Sequence, residues 1–227
     1  MAKSVLVIAA HPDDEVLGCG GTIAKLSSEG ANVHVAFMAD GVYSRITTEN
    51  NQHTELKKRR LAAKKSCEVL GVTSVSFDNF PDNRMDTVAL LDITKSVELL
   101  IEKYQPEILF THHAGDVNID HRRLNEAIVT ACRPQVKKTV KTLLFFEVPS
   151  STEWQIPGTH SPFMPNWFVD ISKTFGEKLK ALEMYADEIR DWPHPRSIKG
   201  VSHLCHWRGA TVGVNAAEAF MLGRQIS

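Results

Sequence analysis

The sequence VLVIAAHPDDE, residues 5–15, decides the fold class of this chain, because it joins an uninterrupted apolar run to an acidic loop. Continuous apolar runs are typical of strands that are buried on both faces of a parallel sheet. The run is too short to span a membrane, and no signal-peptide cleavage pattern follows it. It therefore predicts the first strand of a globular α/β fold.

Further apolar strands alternate with helical segments downstream of this stretch. The predicted strands are Val5–Ala9, Val33–Met38, Val75–Phe77, Ile108–Phe110 and Leu143–Val148, and the predicted helices are Gly20–Glu29, Thr54–Leu70, Val88–Tyr104 and Leu124–Cys132. Gly30 and Gly71 follow two of these helices directly, where glycine commonly ends a helix. Such alternation predicts a Rossmann-like α/β fold, with a mostly parallel sheet and helices on both of its faces.

The chain after residue 148 has a different character, because prolines interrupt it repeatedly. We predict helices at about 174–189 and 216–222 in this tail, and we interpret it as a cap over the sheet edge. The chain of 227 residues is then one domain, 1–227, with a core at about 1–148 and a C-terminal cap at about 149–227.

Composition excludes several classes of protein. The formal net charge of −1 gives no global basic field that would recruit nucleic acid. The basic run at 57–60, KKRR, is interpreted as a solvated helix face. The four cysteines are scattered and form no C-x-x-C pair, so the simplest interpretation is free thiols in a reducing cytoplasm.

Two polar clusters follow predicted strands at their carboxyl ends, which is where open α/β sheets bind ligands. One is HPDDE at 11–15, and the other is HHAGDVNIDH at 112–121. Three successive carboxylates repel one another beside a buried strand end, and a bound cation would remove that problem. One histidine with carboxylate oxygens suits zinc, and a second histidine from the other cluster would complete an open three-ligand site. One of Asp13 and Asp14 would then bind the metal while the other faces the substrate.

Two other functions fit parts of this pattern. His11-x-Asp13 with a distant histidine matches the triad of non-haem iron oxygenases, although such oxygenases commonly have all-β folds. A second carboxylate is also more useful to a hydrolase, which needs a general base beside the metal. The glycine-rich sequence GCGG at 18–21 and Asp40 after the second strand suggest dinucleotide binding, but the glycine spacing is wrong for the full fingerprint.

Several motifs together carry a resemblance to a known family. They are AHPDDE at 10–15, LGCGGT at 17–22, DHR at 120–122 and a terminal stretch from RG at 208–209 through Gly213 to EAF at 218–220. The chain resembles the PIG-L/LmbE family of zinc-dependent N-acetylglucosamine-type deacetylases, and the resemblance spans essentially its whole length. It implies a cytoplasmic hydrolase that removes an acetyl group from an N-acetylated sugar. It also implies one bound Zn²⁺, with Fe²⁺ as the alternative ion in the cell.

The resemblance also assigns roles to individual residues. His11, Asp14 and His121 match the zinc ligands, and Asp13 matches the general base. Asp82 and Arg59 match residues that contact the substrate in relatives. The implied partner is a small N-acetylated sugar, with no nucleic acid and no membrane span, and a homo-oligomer is compatible with the sequence.

One position departs from the family pattern. Many members have His-x-Asp-His in the second motif, whereas this chain has Asn118 in place of the first histidine. Asparagine can donate a hydrogen bond to an oxyanion but cannot act as a general acid. Asn118 and His113 are therefore the predicted oxyanion donors. His194, in the cap, is the further candidate near the substrate, and Asp13 is a candidate for both base and acid.

Overall fold

The computed structural model describes residues 2–39, 41, 49–135 and 140–227. The helices are α1 (Asp14–Ser28), α2 (Glu49–Val69), α3 (Leu90–Tyr104), α4 (Ile119–Ala131), α5 (Phe175–Glu183) and α6 (Ile198–Ala210). The strands are β1 (Ser4–Ala9), β2 (Asn32–Ala39), β3 (Ser74–Phe80), β4 (Ile108–His112), β5 (Thr142–Phe146), β6 (Trp167–Asp170) and β7 (Ala217–Gln225).

The described strands form a seven-stranded sheet in the order β3-β2-β1-β4-β5-β7-β6. Strands β1 to β5 are parallel to one another, and β7 runs antiparallel to both β5 and β6. The predicted fold class is therefore confirmed. Strands β2 and β3 lie on one side of β1, whereas β4 and β5 lie on its other side. The boundary between β1 and β4 is therefore a topological switch point, which opens a crevice at the carboxyl ends of the strands.

Alternate side chains of β1 point to opposite faces of the sheet, and each face is covered by helices. Val5 and Val7 belong to the core beneath α1, α2 and α5. Leu6 and Ile8 belong to the core beneath α3 and α4. This burial on both faces explains the continuous apolar run in the sequence.

The C-terminal part of the chain differs from the sequence-based prediction. The helix predicted at 216–222 is wrong, because residues Ala217–Gln225 form β7 between β5 and β6. Its sequence AEAFMLGRQ has helix-favouring residues, but pairing on both sides overrides that weak preference. The helix predicted at 174–189 ends earlier, at Glu183. The division into core and cap stays a prediction.

The glycine run after β1 serves close packing. A Cβ atom at Gly18 would lie 2.4 Å from the Phe146 side chain, and one at Gly21 would lie 2.7 Å from Ile171. These two close contacts explain why glycine is needed at both positions, so a bound dinucleotide is not required to explain the glycine-rich sequence. Asp40, the acidic residue of that alternative, lies outside the described residues.

Helix α1 is interrupted at Cys19, which has non-helical backbone angles. Just after the interruption, the buried N–H groups of Gly21 and Thr22 donate to the Glu218 carboxylate at 2.9 and 2.7 Å. Lys178 pairs with the same carboxylate at 2.5 Å and also donates to a carbonyl of the first half of α1 at 2.9 Å. These residues, defined here as the kink cluster, tie β7 and α5 to α1.

All four cysteines are free and buried. Within the described ranges, no helix combines the length and the apolar character needed to cross a bilayer.

Candidate active site

The three predicted metal ligands converge at the switch point between β1 and β4. His11 and Asp14 follow β1, and His121 lies in the first turn of α4. Asp14 Oδ2 lies 3.4 Å from His11 Nδ1 and 3.2 Å from His121 Nε2. One nitrogen or oxygen atom from each residue lies within 4.8 Å of the others, and all three residues are buried. This spacing is that of a group able to hold one metal ion.

A carboxylate fixes the orientation of the His11 ring. His11 Nε2 lies 2.9 Å from Asp120 Oδ2, which leaves Nδ1 directed towards Asp14. Asp120 is fully buried and accepts backbone hydrogen bonds from Asn83 at 2.6 Å and Met85 at 2.9 Å. Metal-binding histidines commonly have such a carboxylate on the ring nitrogen that faces away from the ion.

Asp116 stands in the same relation to His121. Its Oδ1 lies 3.2 Å from His121 Nδ1, and it accepts hydrogen bonds from the hydroxyls of Ser151 and Thr152. Burial opposes ionisation of Asp116, but the nearby His121 and these hydrogen bonds lower its pKa well below the usual value. Ser151 and Thr152 thereby help to hold His121 in place through Asp116. His121 is one of the three residues, with His11 and Asp14, that are called the metal group below.

The donor atoms fit a zinc ion. The His121 Nε2 atom, which faces Asp14, is buried and makes no hydrogen bond to the part of the chain that the structure describes. An unsatisfied buried nitrogen is costly, and coordination to a metal removes that cost. Two imidazoles and one carboxylate are also a ligand set typical of catalytic zinc, which leaves a coordination position open.

His112 is a further residue of the site that sequence reasoning did not single out. Its ring stacks on that of His121 with centroids 3.8 Å apart, and its Nε2 accepts a hydrogen bond from the Ala10 N–H at 2.8 Å. Burial lowers the pKa of His112 well below its usual value, so the ring is neutral. The only sequence signal was its position at the end of a buried strand, beside His113.

Asp13 lies beside the metal group in an unusual backbone conformation, with φ of 113°. Its N–H donates to Glu15 Oε2 at 3.0 Å. Its Oδ2 lies 3.1 Å from Arg196 Nη1 and 3.6 Å from Arg59 Nη2. Burial raises the pKa of Asp13, and the two guanidinium groups offset part of this rise.

A cavity of about 290 Å³ opens in front of these residues. Among its lining residues are the predicted site residues His11, Asp13, Asp14, Arg59, Asp82, Asn118 and His121, together with Asn83, Trp154 and Arg196, which sequence reasoning did not single out. Most of the predicted site is thus brought to one place.

Arg59 departs from the interpretation of the basic run as a solvated helix face. Its side chain is only 10% exposed and donates to Glu188 Oε1 at 2.5 Å, whereas the side chain of Lys58 is 59% exposed. Asp82, also predicted to contact substrate, is buried and lies 3.3 Å from His11 Nε2.

Asn118 lies on the cavity wall, but its carbonyl group has a structural task. Oδ1 accepts hydrogen bonds from the N–H groups of Asp120 and His121, and so caps the N-terminus of α4. Nδ2 donates to Asn83 Oδ1 at 3.1 Å. The cap positions His121 at the start of the helix.

The structure does not bring His113 or His194 to the cavity lining. His113 Nε2 instead donates to the carbonyl of Ser161 at 2.8 Å. His194 Nδ1 accepts from the Arg196 N–H at 3.1 Å, and its ring packs edge-on against Trp154. His113 is therefore held away from the cavity, and His194 packs behind the lining residues Arg196 and Trp154 without lining the cavity itself.

Comparison with known proteins agrees with this geometry. The family model described as PIG-L, GlcNAc-PI de-N-acetylase, matches residues 6–132, more than half of the 227-residue chain. The chain belongs to the PIG-L family. Both polar clusters at the strand ends lie inside the matched range, whereas Arg196 and Trp154 lie beyond it.

Relatives of this PIG-L-family chain include named deacetylases. It is 31% identical to the diacetylchitobiose deacetylase of Thermococcus kodakarensis, over 82% of this chain and 70% of that protein. The N,N'-diacetylchitobiose deacetylase structure from Pyrococcus horikoshii shares the fold with a TM-score of 0.78 and 24% identity, over 97% of this chain and 84% of that one. Deacetylase relatives support a deacetylase activity for this chain.

The fold alone does not fix the reaction. The 4-carboxy-2-hydroxymuconate hydratase GalB of Pseudomonas putida also matches, with a TM-score of 0.79 and 22% identity, over 99% of this chain and 98% of that one. Function must therefore be argued from the site.

Proposed function

We propose that this chain is a zinc-dependent hydrolase that removes the N-acetyl group from an amino sugar or sugar conjugate. The observation that carries the proposal is the group of His11, Asp14 and His121, with the separate carboxylate of Asp13 beside it on the cavity wall. Two ligand histidines, one ligand carboxylate and one free carboxylate are the parts that metal-assisted amide hydrolysis requires.

His11 Nδ1, Asp14 and His121 Nε2 would hold the ion. A zinc ion bound there supplies a Lewis acid that polarises the acyl carbonyl and lowers the pKa of water to about 7. Asp120 and Asp116 keep the two rings oriented through the nitrogens that face away from Asp14.

Asp13 is the proposed general base. It lies on the cavity wall, where its Oδ2 accepts a hydrogen bond from Arg196 Nη1 at 3.1 Å. Asp13 accepts a proton from water as the water attacks the acyl carbon, and it returns the proton to the departing amine. Asp13 thus serves as the base in the first step and as the acid in the second, so no histidine at position 118 is required for proton transfer.

The proposed substrate is a small N-acetylated sugar. The cavity volume of about 290 Å³ lies at the lower end of the range of about 300–1,000 Å³ for small-molecule sites. Arg59 and Asp82 offer hydrogen-bonding groups suited to sugar hydroxyls, and the half-exposed Trp154 offers an apolar surface at the rim. Asn118 and His194 are proposed to shape this wall through their contacts with Asn83 and Arg196.

The test is to purify the protein, remove its metal with a chelator and restore Zn²⁺ or Fe²⁺. Acetate and free amine are then measured with N-acetylglucosamine and N,N'-diacetylchitobiose. We expect equal amounts of acetate and amine, released only by the metal-loaded protein. We also expect His121→Ala to lose both the ion and the activity. Oxygen-dependent turnover, or hydration of a carbon–carbon double bond without acetate release, would contradict the proposal. The cytoplasmic location and a homo-oligomer stay predictions of the sequence.

A further inference from the structure

The site needs a donor for the oxygen that becomes negatively charged during acyl transfer. The second family motif commonly has a histidine where this chain has Asn118, whose Oδ1 caps α4 and whose Nδ2 donates one of its two N–H groups to Asn83, so that Asn118 offers at most one neutral donor. The other two candidates from the sequence, His113 and His194, do not line the cavity. The donor must therefore be sought among the residues that do line it.

Two cationic side chains are present among the described lining residues, Arg59 and Arg196. Both terminal nitrogens of Arg59 already have partners, because Nη1 donates to Glu188 at 2.5 Å and Nη2 donates to the Pro12 carbonyl at 3.3 Å. Its Nε has no partner among the described residues, but it is buried and therefore inaccessible to a substrate oxygen. Its guanidinium therefore braces the loop that carries Asp13.

Arg196 is held differently. Nε donates to Ser150 Oγ at 3.0 Å, and Nη1 donates to Asp13 Oδ2 at 3.1 Å. Nη2 makes no hydrogen bond to the described part of the chain, and the side chain is 18% exposed. The guanidinium is thus anchored at two nitrogens, and a third nitrogen remains for a substrate oxygen.

We propose that Arg196 is a catalytic residue that binds the oxyanion of the tetrahedral intermediate, in place of the histidine that many relatives have at position 118. This inference rests on the proposed function. Arg196 lies 183 residues from Asp13 in sequence and outside the segment, residues 6–132, that the family model matches.

The movement of charge during the reaction explains why a guanidinium beside Asp13 is useful. When the water oxygen bonds to the acyl carbon, its proton passes to Asp13 and the carbonyl π electrons move to the carbonyl oxygen. The negative charge thus leaves Asp13 and appears on the substrate, within reach of the same cation. When the C–N bond breaks, the carbonyl re-forms, the bonding pair stays on nitrogen, and Asp13 returns the proton to it. Acetic acid and the free amine are released, and Asp13 is again paired with Arg196.

Arginine suits this task because its charge is permanent and its donors are fixed in one plane. A preorganised donor directed at the developing charge gives more stabilisation in the transition state than in the ground state. Loss of one such donor typically lowers turnover by about 10²–10³-fold.

The experiment compares Arg196→Gln and Arg196→Lys with the wild type on two substrates, the N-acetyl and N-trifluoroacetyl derivatives of glucosamine. Fluorine atoms stabilise the oxyanion by themselves, so a residue that binds the oxyanion matters less for the second substrate. We expect Arg196→Gln to lower kcat on the acetyl substrate by about 10²–10³-fold. The loss should be clearly smaller on the trifluoroacetyl substrate, KM should change little, and zinc content should be unchanged. Arg196→Lys should recover part of kcat.

Arg190→Gln is the matched control, because Arg190 is exposed and, within the described residues, donates to the carbonyls of Asp187 and Ile189 and not to a site residue. It should behave as wild type. Equal losses on both substrates would overturn the proposal and make Arg196 a positioning residue for Asp13, and unchanged kcat would overturn it as well. If Arg196→Gln does not fold, the ratio of losses in Arg196→Lys decides in the same way. A wild type that releases no acetate from either substrate would overturn the proposed function itself, which is a separate result.

Discussion

Two buried polar clusters contact helix α1, and they differ in how completely their atoms are paired. In the kink cluster, both Glu218 oxygens accept backbone hydrogen bonds, and Lys178 donates to Glu218 and to a helix carbonyl. At the start of α1, the metal group leaves His121 Nε2, the ring nitrogen that faces Asp14, without a hydrogen bond to the described residues. A cluster whose charged groups are paired with one another serves the fold, whereas a cluster with an unpaired buried ring nitrogen is suited to a ligand.

The electrostatics of the two clusters follow the same division. Burial alone would lower the pKa of Lys178, but the Glu218 carboxylate more than offsets it and the pKa is raised. The lysine therefore stays charged and paired. In the metal group, the Asp14 carboxylate lies 3.4 Å from His11 Nδ1 and 3.2 Å from His121 Nε2, and one cation could bind all three residues. Three experiments test this contrast.

The largest expected effect is on catalysis at the start of α1. Asp13→Asn removes the proton acceptor but no metal ligand, so we expect kcat to fall by about 10²–10⁴-fold with zinc content unchanged. Asp14→Asn should instead reduce zinc content. Acetate release and metal analysis on the same samples provide the measurement. If Asp13→Asn empties the site while Asp14→Asn keeps the ion, the two roles are reversed.

The next effect is on stability at the kink cluster. Lys178→Met leaves the Glu218 carboxylate buried without its cation, and we expect a loss of about 3–5 kcal/mol in the free energy of unfolding. Urea unfolding measures this loss, and Lys180→Met, an exposed position on the same helix, is the control. Zinc content and kcat of the folded protein should be unchanged. A large drop in zinc affinity would show that the two clusters are not independent.

The smallest of the three effects concerns the carboxylate that orients His11. Asp120→Asn replaces a charged acceptor by a neutral one, and we expect zinc affinity to fall by about 10–100-fold. Competition with a chelator of known affinity measures the change, and Asp86→Asn, an exposed position nearby, is the control. Unchanged affinity would mean that the backbone alone holds the His11 ring.

Much of the fold was predictable because its signals are local. The apolar runs of β1 and β4, and the glycines after α1 and α2, depend on neighbouring residues only. The ligand types of the metal group were also readable, since the HPDDE sequence and His121 follow strands whose carboxyl ends meet at one edge. The strand β7 was missed because its pairing with distant β5 and β6, and not its composition, decides its conformation.

The sequence by itself determined the alternating α/β architecture and the positions of His11, Asp13, Asp14 and His121 after two of its strands. Only the tertiary structure decided which groups surround them. Arg196 reaches Asp13 across 183 residues, and Ser151 holds Asp116 across 35. The physical reason is that hydrophobic periodicity and metal-ligand spacing are properties of short segments. The direction of a side chain from a distant loop is set instead by how the sheet and helices pack.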